Sequence, residues 1–432
     1  MPSNTSTVGA LLQEQIQPGI VNQLNNETPL LDSFENTTDT AILGNYKVRG
    51  IRVNRNRGGY YTAEGGAPPV AGTVEIQRLM IPERFYHHAL SFTEQVLNAS
   101  RSTEGAFADA FRLGTEDVQE VLRIKRNQSL WGDGRGVLAL VNGASSSTTQ
   151  TLDAPGGIAG ADDGTRFLNV GDWIGFVNPA GSLRLTTAHQ VTSVTSATQI
   201  VISPTASTTD NDYIVTSVET TGTLTIGNTG YNHHIMGMSG MNDNGANVNL
   251  YFGLSRTTFP ILNSTVIGTT ALPVGGLSAD VMQRGIDVSA KISGARTNEI
   301  WVESGVKRAY LRMMETDRRY TDSDLRSPNA GTDAAGARRY ADTGLKFGSI
   351  PIYQDHFCPY GQMHGLDTRS LKRYPGPMGF LNRDGSVLHL STTAVDTWDA
   401  YFRCFEQFAA EQPNQLWKLV GVSFDFVAAH VY

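Results

Sequence analysis

The chain has 432 residues, of which 40% are hydrophobic and 17% are charged, and its formal net charge is −7. A protein that grips duplex DNA through its phosphates carries a clustered basic excess, so this composition argues against one. No apolar run approaches the ~18 residues that cross a bilayer, which excludes a membrane-spanning helix.

Two cysteines, Cys358 and Cys404, are too few for a disulfide framework. The first twenty residues lack a basic start and a continuous apolar stretch, so no secretory signal is predicted and folding in a reducing cytosol is expected. Arginine outnumbers lysine 27 to 7. This ratio favours a protein contact surface, because guanidinium pairs well with carboxylates, and a GC-rich genome explains it equally well.

Residues 1–45 form a polar arm that is too polar to fold alone, so we expect it to lie across something else. Its apolar anchors are Val8, Leu11, Leu12, Ile16, Ile20, Val21, Leu30, Leu31 and Phe34. Residues 46–64 then read as a β-hairpin whose turn is Gly58-Gly59. Neither side of it is a convincing core face, so it is either disordered or laid on a partner chain. A further strand starts at Thr73.

The periodicity predicts a helix from Thr103 to about Leu130, roughly 40 Å long. Residues 144–230 carry five short strand-like runs, which suit a small β-barrel or sandwich inserted into the main body. Further helices are predicted at 278–292 and 304–314, and strands at 298–302, 349–353, 362–366 and 416–427. Residues 317–345 read as a polar loop.

No catalytic motif stands out. The pairs His87-His88 and His233-His234 are adjacent residues, and neighbours on a strand point to opposite faces, so structural histidines are favoured over metal ligands. For Asp322-x-Asp324 and Asn242-Asp243-Asn244-Gly245 a solvated turn is favoured over a calcium site. Cys358 beside His356 and Asp355 suggests a thiol enzyme, and a buried inert thiol is favoured. We therefore expect no enzyme, cofactor or metal.

The order of segments carries a resemblance. Glu64-Gly65-Gly66-Ala67-Pro68 follows the hairpin, and Gly105-Ala106-Phe107 and Leu130-Trp131-Gly132-Asp133-Gly134 bracket the long helix. Leu345–Asp355 with Cys358-Pro359-Tyr360-Gly361 follows later. This pattern resembles the major capsid proteins of tailed double-stranded DNA phages, which have the Hong Kong 97-like (Johnson) fold. The resemblance spans most of the chain outside 144–230.

The resemblance implies an α+β fold with an extended loop that overlaps a neighbouring subunit. The implied parts are 1–45 as N-terminal arm, 46–71 as extended loop, 72–143 as peripheral domain with its long spine helix, 144–230 as inserted all-β domain, 231–345 as mainly axial domain, 346–400 as return to the peripheral domain and 401–432 as C-terminal part of the axial domain. The predicted interface residues are Arg49, Arg52, Arg55, Arg57, Tyr60, Tyr61 and Glu64 on the loop and Leu11, Leu12 and Ile16 on the arm.

The implied function is self-assembly, as pentamers and hexamers, into an icosahedral head that encloses double-stranded DNA without sequence-specific binding. The implied partners are copies of the chain itself, a portal and a separate scaffolding protein, with a decoration protein as a further candidate. Assembly in the host cytoplasm and residence in the virion follow. The alternatives are an extracellular β-rich adhesin or binding module and a cysteine hydrolase around Cys358.

Overall fold

A computed structural model gives the fold and describes residues 28–35, 39, 42, 46–96, 110–158, 163–218, 223–268, 273–316, 342–382, 387–390 and 397–423. The chain divides into two compact units. The first comprises Met1–Asn25, His87–Leu122 and Gly379–Arg403, and the second comprises Asn26–Tyr86, Arg123–Met378 and Cys404–Tyr432. The division into arm, loop, peripheral, inserted and axial parts stays a prediction.

The main helices of the described residues are α1 Pro29–Glu35, α2 Ala110–Trp131, α3 Met238–Met241, α4 Ala279–Ser293 and α5 Ser304–Thr316. None of them combines the length and apolar character that crossing a bilayer requires. The strands are β1 Tyr46–Asn54, β2 Glu75–Pro82, β3 Arg84–Thr93, β4 Val137–Val141, β5 Ser145–Asp153, β6 Trp173–Val177, β7 His189–Ser196, β8 Gln199–Thr208, β9 Tyr213–Thr216, β10 Leu250–Tyr251, β11 Leu254–Ser255, β12 Thr265–Ile267, β13 Glu299–Val302, β14 Asp342–Phe347, β15 Ile350–Gln354, β16 Gln362–Leu366, β17 Leu371–Phe380, β18 His389–Leu390, β19 Thr397–Ala410 and β20 Trp417–Val420.

A six-stranded sheet in the second unit has the order β12-β20-β16-β13-β15-β14. It is mixed, since β13 runs parallel to β15 and antiparallel to β16. Met282 of α4 and Val306 and Tyr310 of α5 share one buried apolar cluster with residues of this sheet. The Ser278 side chain caps α4 by accepting from the Val281 amide, as its position before the periodic run favours.

Trp417 of β20 fixes the packing of α4 against this sheet. Its ring is completely buried and lies against Gly285 of α4 and Gly365 of β16. A Cβ at Gly365 would lie 2.0 Å from the indole, and one at Gly285 would lie 2.7 Å from it. Both positions therefore exclude any side chain.

Six strands between Val137 and Thr216 close into a barrel with the order β4-β5-β8-β7-β6-β9. Buried apolar side chains recur along these strands and include Phe176, Val191, Ile200, Ile202 and Ile214. A barrel this small is filled by side chains rather than by a channel. A barrel or a sandwich was predicted, and the strands form a barrel. Its first strand, β4, begins at Val137, before the predicted start of this region at residue 144. That the segment is an inserted domain stays a prediction.

Helix α2 covers 22 residues, or about 33 Å. Its predicted end is confirmed within one residue, and the predicted start falls outside the described residues. In the second unit Arg126 of α2 donates to both carboxylate oxygens of Glu406 on β19, at 2.5 and 2.7 Å. Arg373 of β17 joins the same carboxylate at 3.2 Å. This largely buried triad ties the helix to two strands.

The first unit contains the N-terminal half of α2 and parts of β3, β17 and β19. The rings of Phe380 and Phe402 meet edge to face at 5.1 Å, and the Leu381 amide donates to the Tyr401 carbonyl at 2.7 Å. A Cβ at Gly114 of α2 would lie 2.9 Å from the ring of Phe92, so helix and strand approach closely here.

Candidate functional site

Strands β1 and β2 form an antiparallel ribbon in which Tyr46 faces Pro82 and Arg52 faces Ile76. The predicted hairpin with its turn at Gly58-Gly59 is therefore wrong, because the partner of β1 is β2. A Gly-Gly pair signals a tight turn between adjacent residues. The pairing of β1 with β2 instead leaves the whole segment 55–74 as the connection between the two strands. We call β1 and β2 the ribbon and residues 55–74 the ribbon tip.

The ribbon has two unlike faces, because directly opposed residues share a side. Leu79 and Ile81, on the inner face, are completely buried. The inner face consists of Lys47, Arg49, Ile51, Gln77, Leu79 and Ile81. The outer face carries four apolar side chains that are 44–65% exposed and two arginines, and it consists of Tyr46, Val48, Arg52, Ile76, Arg78 and Met80. One face thus belongs to the core and the other is open.

Arg49, a predicted interface residue, lies on the inner face and is paired within its own chain. Its Nε lies 2.7 Å from Glu411 Oε1, and its Nη2 donates to Glu411 Oε2 at 3.1 Å. The Tyr374 hydroxyl donates to Glu411 Oε1 at 2.9 Å. The hydrogen bond to Glu411 and the charge of that carboxylate raise the pKa of Arg49. This guanidinium positions the ribbon beside the end of β19.

The ribbon tip is closed at its base by Asn56. Its Nδ2 donates to the Gly72 carbonyl at 2.8 Å, and its Oδ1 accepts from the Gly58 amide at 2.8 Å. The remaining predicted loop residues of the tip are exposed, Tyr61 completely so, and they are Arg55, Arg57, Tyr60, Tyr61 and Glu64. Their role at an interface stays a prediction.

The sequence reasoning missed most of the outer face. It singled out Arg52 but not the apolar residues beside it, which are Tyr46, Val48, Ile76 and Met80. The available signal was the alternation of apolar residues in Glu75–Pro82, where Leu79 and Ile81 are core and Ile76 and Met80 are exposed. Without β2 as partner, β1 alone has no recognisable core side.

The predicted arm residues Leu11, Leu12 and Ile16 lie outside the described residues. The described part of the arm corrects the expectation that it must lie across something other than its own chain. Helix α1 buries Leu30 and Leu31 completely, and the ring of Phe34 meets that of Phe408 edge to face at 5.2 Å. These predicted anchors are core residues of their own subunit.

Asp355 holds the N-terminus of α1 in place. Its buried carboxylate accepts from the Leu30 amide at 3.3 Å, from Asn127 Nδ2 at 3.0 Å and from the Phe357 amide at 2.8 Å. Asn127 Oδ1 in turn accepts from the Leu31 amide at 3.1 Å. First-turn amides have no partner within a helix, so two distant residues cap α1. Burial raises the pKa of Asp355.

The segment Asn242–Gly245 was predicted to be a solvated turn. This prediction is wrong for Asp243, whose side chain is not solvated. Asp243 is completely buried, and its Oδ2 accepts from the amides of Gly245, Asn247 and Val248 at 2.9, 3.0 and 3.1 Å. Lys418 Nζ donates to its Oδ1 at 3.1 Å. The carboxylate is thus an acceptor for the loop and a counter-ion for a buried lysine.

Arg256 completes this buried cluster. Its guanidinium donates to the Asp243 carbonyl and lies 3.7 Å from Asp243 Oδ2. The side chains of Lys418 and Arg256 thus already neutralise the Asp243 carboxylate, which a calcium ion would need as a ligand. Within the described ranges no group of three or more His, Cys, Asp or Glu side chains is arranged to hold a metal. Asp322 and Asp324 lie outside those ranges.

His364 of β16 lies in the same buried region. Its Nδ1 lies 3.3 Å from Asn242 Nδ2, and its Nε2 lies 3.2 Å from Gln362 Oε1. Burial, with a smaller contribution from Lys418, lowers the pKa of His364 from 6.5 to about 3. As the pH falls below 6.5 the unfolded chain binds a proton there and the folded chain does not, so stability is lost in that range.

Replacing His364 with glutamine is expected to lower stability at neutral pH and to remove this pH dependence. The gap in unfolding free energy between wild type and His364→Gln should narrow by about 1.4 kcal/mol for each pH unit below the ordinary histidine pKa. Urea unfolding of the unassembled subunit at a series of pH values measures the gap. A gap that stays constant with pH would contradict the buried, neutral state of this imidazole.

The remaining candidates are structural in their surroundings. His87 is exposed and His88 is half-buried, as expected of neighbours on a strand. His234 Nδ1 lies 3.1 Å from Ser129 Oγ, and burial lowers the pKa of His234 to about 4. Cys358 is completely buried, and burial raises the pKa of its thiol well above the ordinary value. A nucleophilic cysteine requires the thiolate, so this environment does not support the hydrolase alternative.

No protein-family model matches the sequence, and no curated protein matches it. Solved structures do match. A chain of the cyanophage A-1(L) capsid asymmetric unit is 14% identical, with a TM-score of 0.56 over 96% of this chain and 98% of that chain. A chain of the capsid of the native GTA particle is 10% identical, with a TM-score of 0.48 over 96% of this chain and 97% of that chain. A chain of the holo-SrpI encapsulin complex from Synechococcus elongatus PCC 7942 is 8% identical, with a TM-score of 0.44 over the full length of both chains.

The cyanophage comparison extends over nearly the full length of both chains, although few residues are identical. The mixture of helices, an open mixed sheet and a barrel fits the predicted α+β class. The chain therefore has the fold of a phage capsid protein, which confirms the predicted resemblance at the level of the fold.

Proposed function

We propose that the chain is the major capsid protein of a tailed phage and self-assembles, as pentamers and hexamers, into an icosahedral head around double-stranded DNA. The fold supports this function. The observation that carries the proposal is the outer face of the ribbon, where four apolar side chains are 44–65% exposed on a strand pair whose inner face is buried.

A two-stranded ribbon is marginally stable in water, and contiguous exposed apolar surface on a soluble protein marks an interaction site. Covering the outer face with another copy would remove Val48, Ile76 and Met80 from water. At roughly 25 cal/mol for each Å² of apolar surface, such burial contributes on the order of 1 kcal/mol per half-exposed side chain. Repeated in every subunit of a closed shell, this term favours assembly.

The ribbon tip extends the same proposal. Its exposed residues Arg55, Arg57, Tyr60, Tyr61 and Glu64 contact neighbouring copies, and charge pairs there set register more than affinity. A portal and a separate scaffolding protein are further proposed partners, with a decoration protein as an additional candidate. The net charge of −7 suits a container whose lining releases the packed genome. Assembly takes place in the host cytoplasm.

The direct test is electron microscopy and analytical ultracentrifugation of the purified protein, alone and with its scaffolding partner. Wild type is expected to form uniform hollow particles. The double variant Val48→Asp, Ile76→Asp is expected to form none, because burying two unpaired carboxylates at an interface is strongly unfavourable. It should remain folded, since both positions are exposed in the subunit.

The matched control is the exchange Val48→Ile with Ile76→Val, which keeps the outer face apolar and should assemble like wild type. Circular dichroism and thermal unfolding check that all subunits fold. Wild-type protein that stays monomeric under every condition, as an adhesin would, contradicts the capsid function. If the double aspartate variant forms normal particles, the outer face of the ribbon is not a contact surface between subunits.

A further inference from the structure

Two turns of the chain carry the same tripeptide. Asn142-Gly143-Ala144 joins β4 to β5, and Asn244-Gly245-Ala246 follows the buried Asp243. They hold the two Asn-Gly steps of the sequence. Both asparagines are exposed, and the two glycines have positive φ angles of 80° and 96°. The two turns therefore agree in local sequence and exposure and differ in what surrounds them.

An exposed Asn-Gly step is prone to spontaneous deamidation, because glycine has no Cβ and its backbone nitrogen can approach the preceding side chain. The glycine nitrogen, once deprotonated, attacks Cγ of the asparagine. The N–Cγ bond forms, the Cγ–Nδ2 bond breaks, and ammonia leaves with the proton that the glycine amide has lost. Water then opens the resulting succinimide to aspartate or isoaspartate. The reaction needs no oxidant, reductant or enzyme.

In both turns the glycine amide donates to a carboxylate. The Gly143 amide donates to Asp210 Oδ1 at 2.8 Å, and the Gly245 amide donates to Asp243 Oδ2 at 2.9 Å. A hydrogen bond to the protonated amide and a negative charge beside it both oppose loss of the proton. Each carboxylate therefore protects its Asn-Gly step against attack on Cγ for as long as the hydrogen bond is formed.

Asp210 binds the Gly143 amide from an exposed position. Asp210 and Asn211 are exposed residues of the turn before β9, and Asp210 Oδ2 accepts from Asn211 Nδ2 at 2.7 Å. Water competes for an exposed carboxylate, so the net contribution of this hydrogen bond is small. The Gly143 amide is therefore released for part of the time, and Cγ of Asn142 is then open to attack.

Asp243 binds the Gly245 amide from a buried position. Its side chain is completely buried, and Lys418 Nζ donates to its Oδ1 at 3.1 Å. The Asn244 side chain is also held, since its Oδ1 accepts from the Ala246 amide at 3.3 Å. Release of the Gly245 amide therefore requires local opening of the buried cluster, which is a rarer event than the loss of an exposed hydrogen bond.

We infer that Asn142 is a site of spontaneous deamidation in the folded chain and that Asn244, within the same tripeptide, is protected. Conversion of Asn142 adds a carboxylate to the turn that Asp210 already binds. An isoaspartate there also lengthens the backbone by a methylene, directly after the amide that donates to the Thr151 carbonyl at 2.8 Å. The barrel thus gains a negative charge and a local distortion between β4 and β5 as the protein ages. The inference does not depend on the capsid function.

Peptide mapping by mass spectrometry during incubation at mildly alkaline pH tests this inference. In the urea-unfolded chain both asparagines should convert at similar rates, because the tripeptides are identical. In the folded chain Asn142 should convert, and Asn244 should convert at least about tenfold more slowly, the factor that a hydrogen bond to a charged group supplies. The variant Asp210→Ala should accelerate conversion of Asn142 about threefold or more.

Two control variants accompany the wild type, and circular dichroism checks that every variant folds. Asp287→Ala on α4 removes an exposed carboxylate outside both turns and should leave both rates unchanged. Asn142→Gln keeps a neutral amide at the exposed position and should abolish the conversion there. Equal rates at the two asparagines of the folded chain, no conversion of Asn142, or an Asp210→Ala variant that converts Asn142 at the wild-type rate would overturn the inference and leave the capsid function untouched.

Discussion

Replacing Asp243 with alanine is expected to lower the free energy of unfolding by about 3–5 kcal/mol, because it leaves two buried cations without their counter-ion. Lys418 is 2% exposed and Arg256 is completely buried, so neither can turn to water without local unfolding. Three backbone amides of the loop lose their acceptor as well. Urea unfolding of the unassembled subunit measures the change.

The matched control is Asn244→Ala, the exposed neighbour in the same loop, which should cost less than about 1 kcal/mol. Burial opposes ionisation of Asp243, but Lys418, the Val248 amide and Arg256 outweigh it and lower the pKa of Asp243 below 3.8. Its contribution is thus complete above that pH and is lost as the pH falls through the lowered value. Equal effects of the two substitutions would contradict the buried cluster.

Replacing Asp355 with alanine is expected to release α1, with a loss of about 2–4 kcal/mol. The amides of Leu30 and Phe357 and the Asn127 side chain lose their acceptor in a buried site. The relief of a desolvated carboxylate offsets part of this loss, since burial raises the pKa of Asp355. Hydrogen exchange at residues 29–35 should rise more than exchange in α4, and urea unfolding gives the total.

The variant Asp355→Asn serves as the matched control. It keeps the shape of the side chain and one acceptor oxygen, so a smaller loss is expected, with α1 still largely protected. Full protection of residues 29–35 in the alanine variant would show that burial of Leu30, Leu31 and Phe34 alone holds the helix.

Elements set by local pattern were predictable. The periodic run after Ser278 and the short apolar run before Ser304 gave α4 and β13 within one residue at each end, and β16 was predicted with its observed bounds. In each case a cap or turn residue marks the boundary, and the side-chain period identifies the element. Such signals lie within a few residues of one another.

Features set by distant partners were not predictable. The pairing of β1 with β2 depends on the burial of Leu79 and Ile81 of β2 in the core. The sequence of β1 alone does not show which strand it pairs with. The arm anchors Leu30, Leu31 and Phe34 were read as contacts to another surface because their caps, Asn127 and Asp355, are far away in sequence. Asp243 looked solvated because its cation Lys418 is equally remote.

Closure of the six-stranded barrel has a consequence for solubility. An open sheet ends in strands whose unpaired amides and carbonyls can template pairing with another chain, and such edges promote aggregation. In the barrel each strand pairs with a neighbour on both sides, so none of the six is an edge strand. This serine- and threonine-rich β region can therefore be present at high concentration without offering an edge strand as a seed for fibrils.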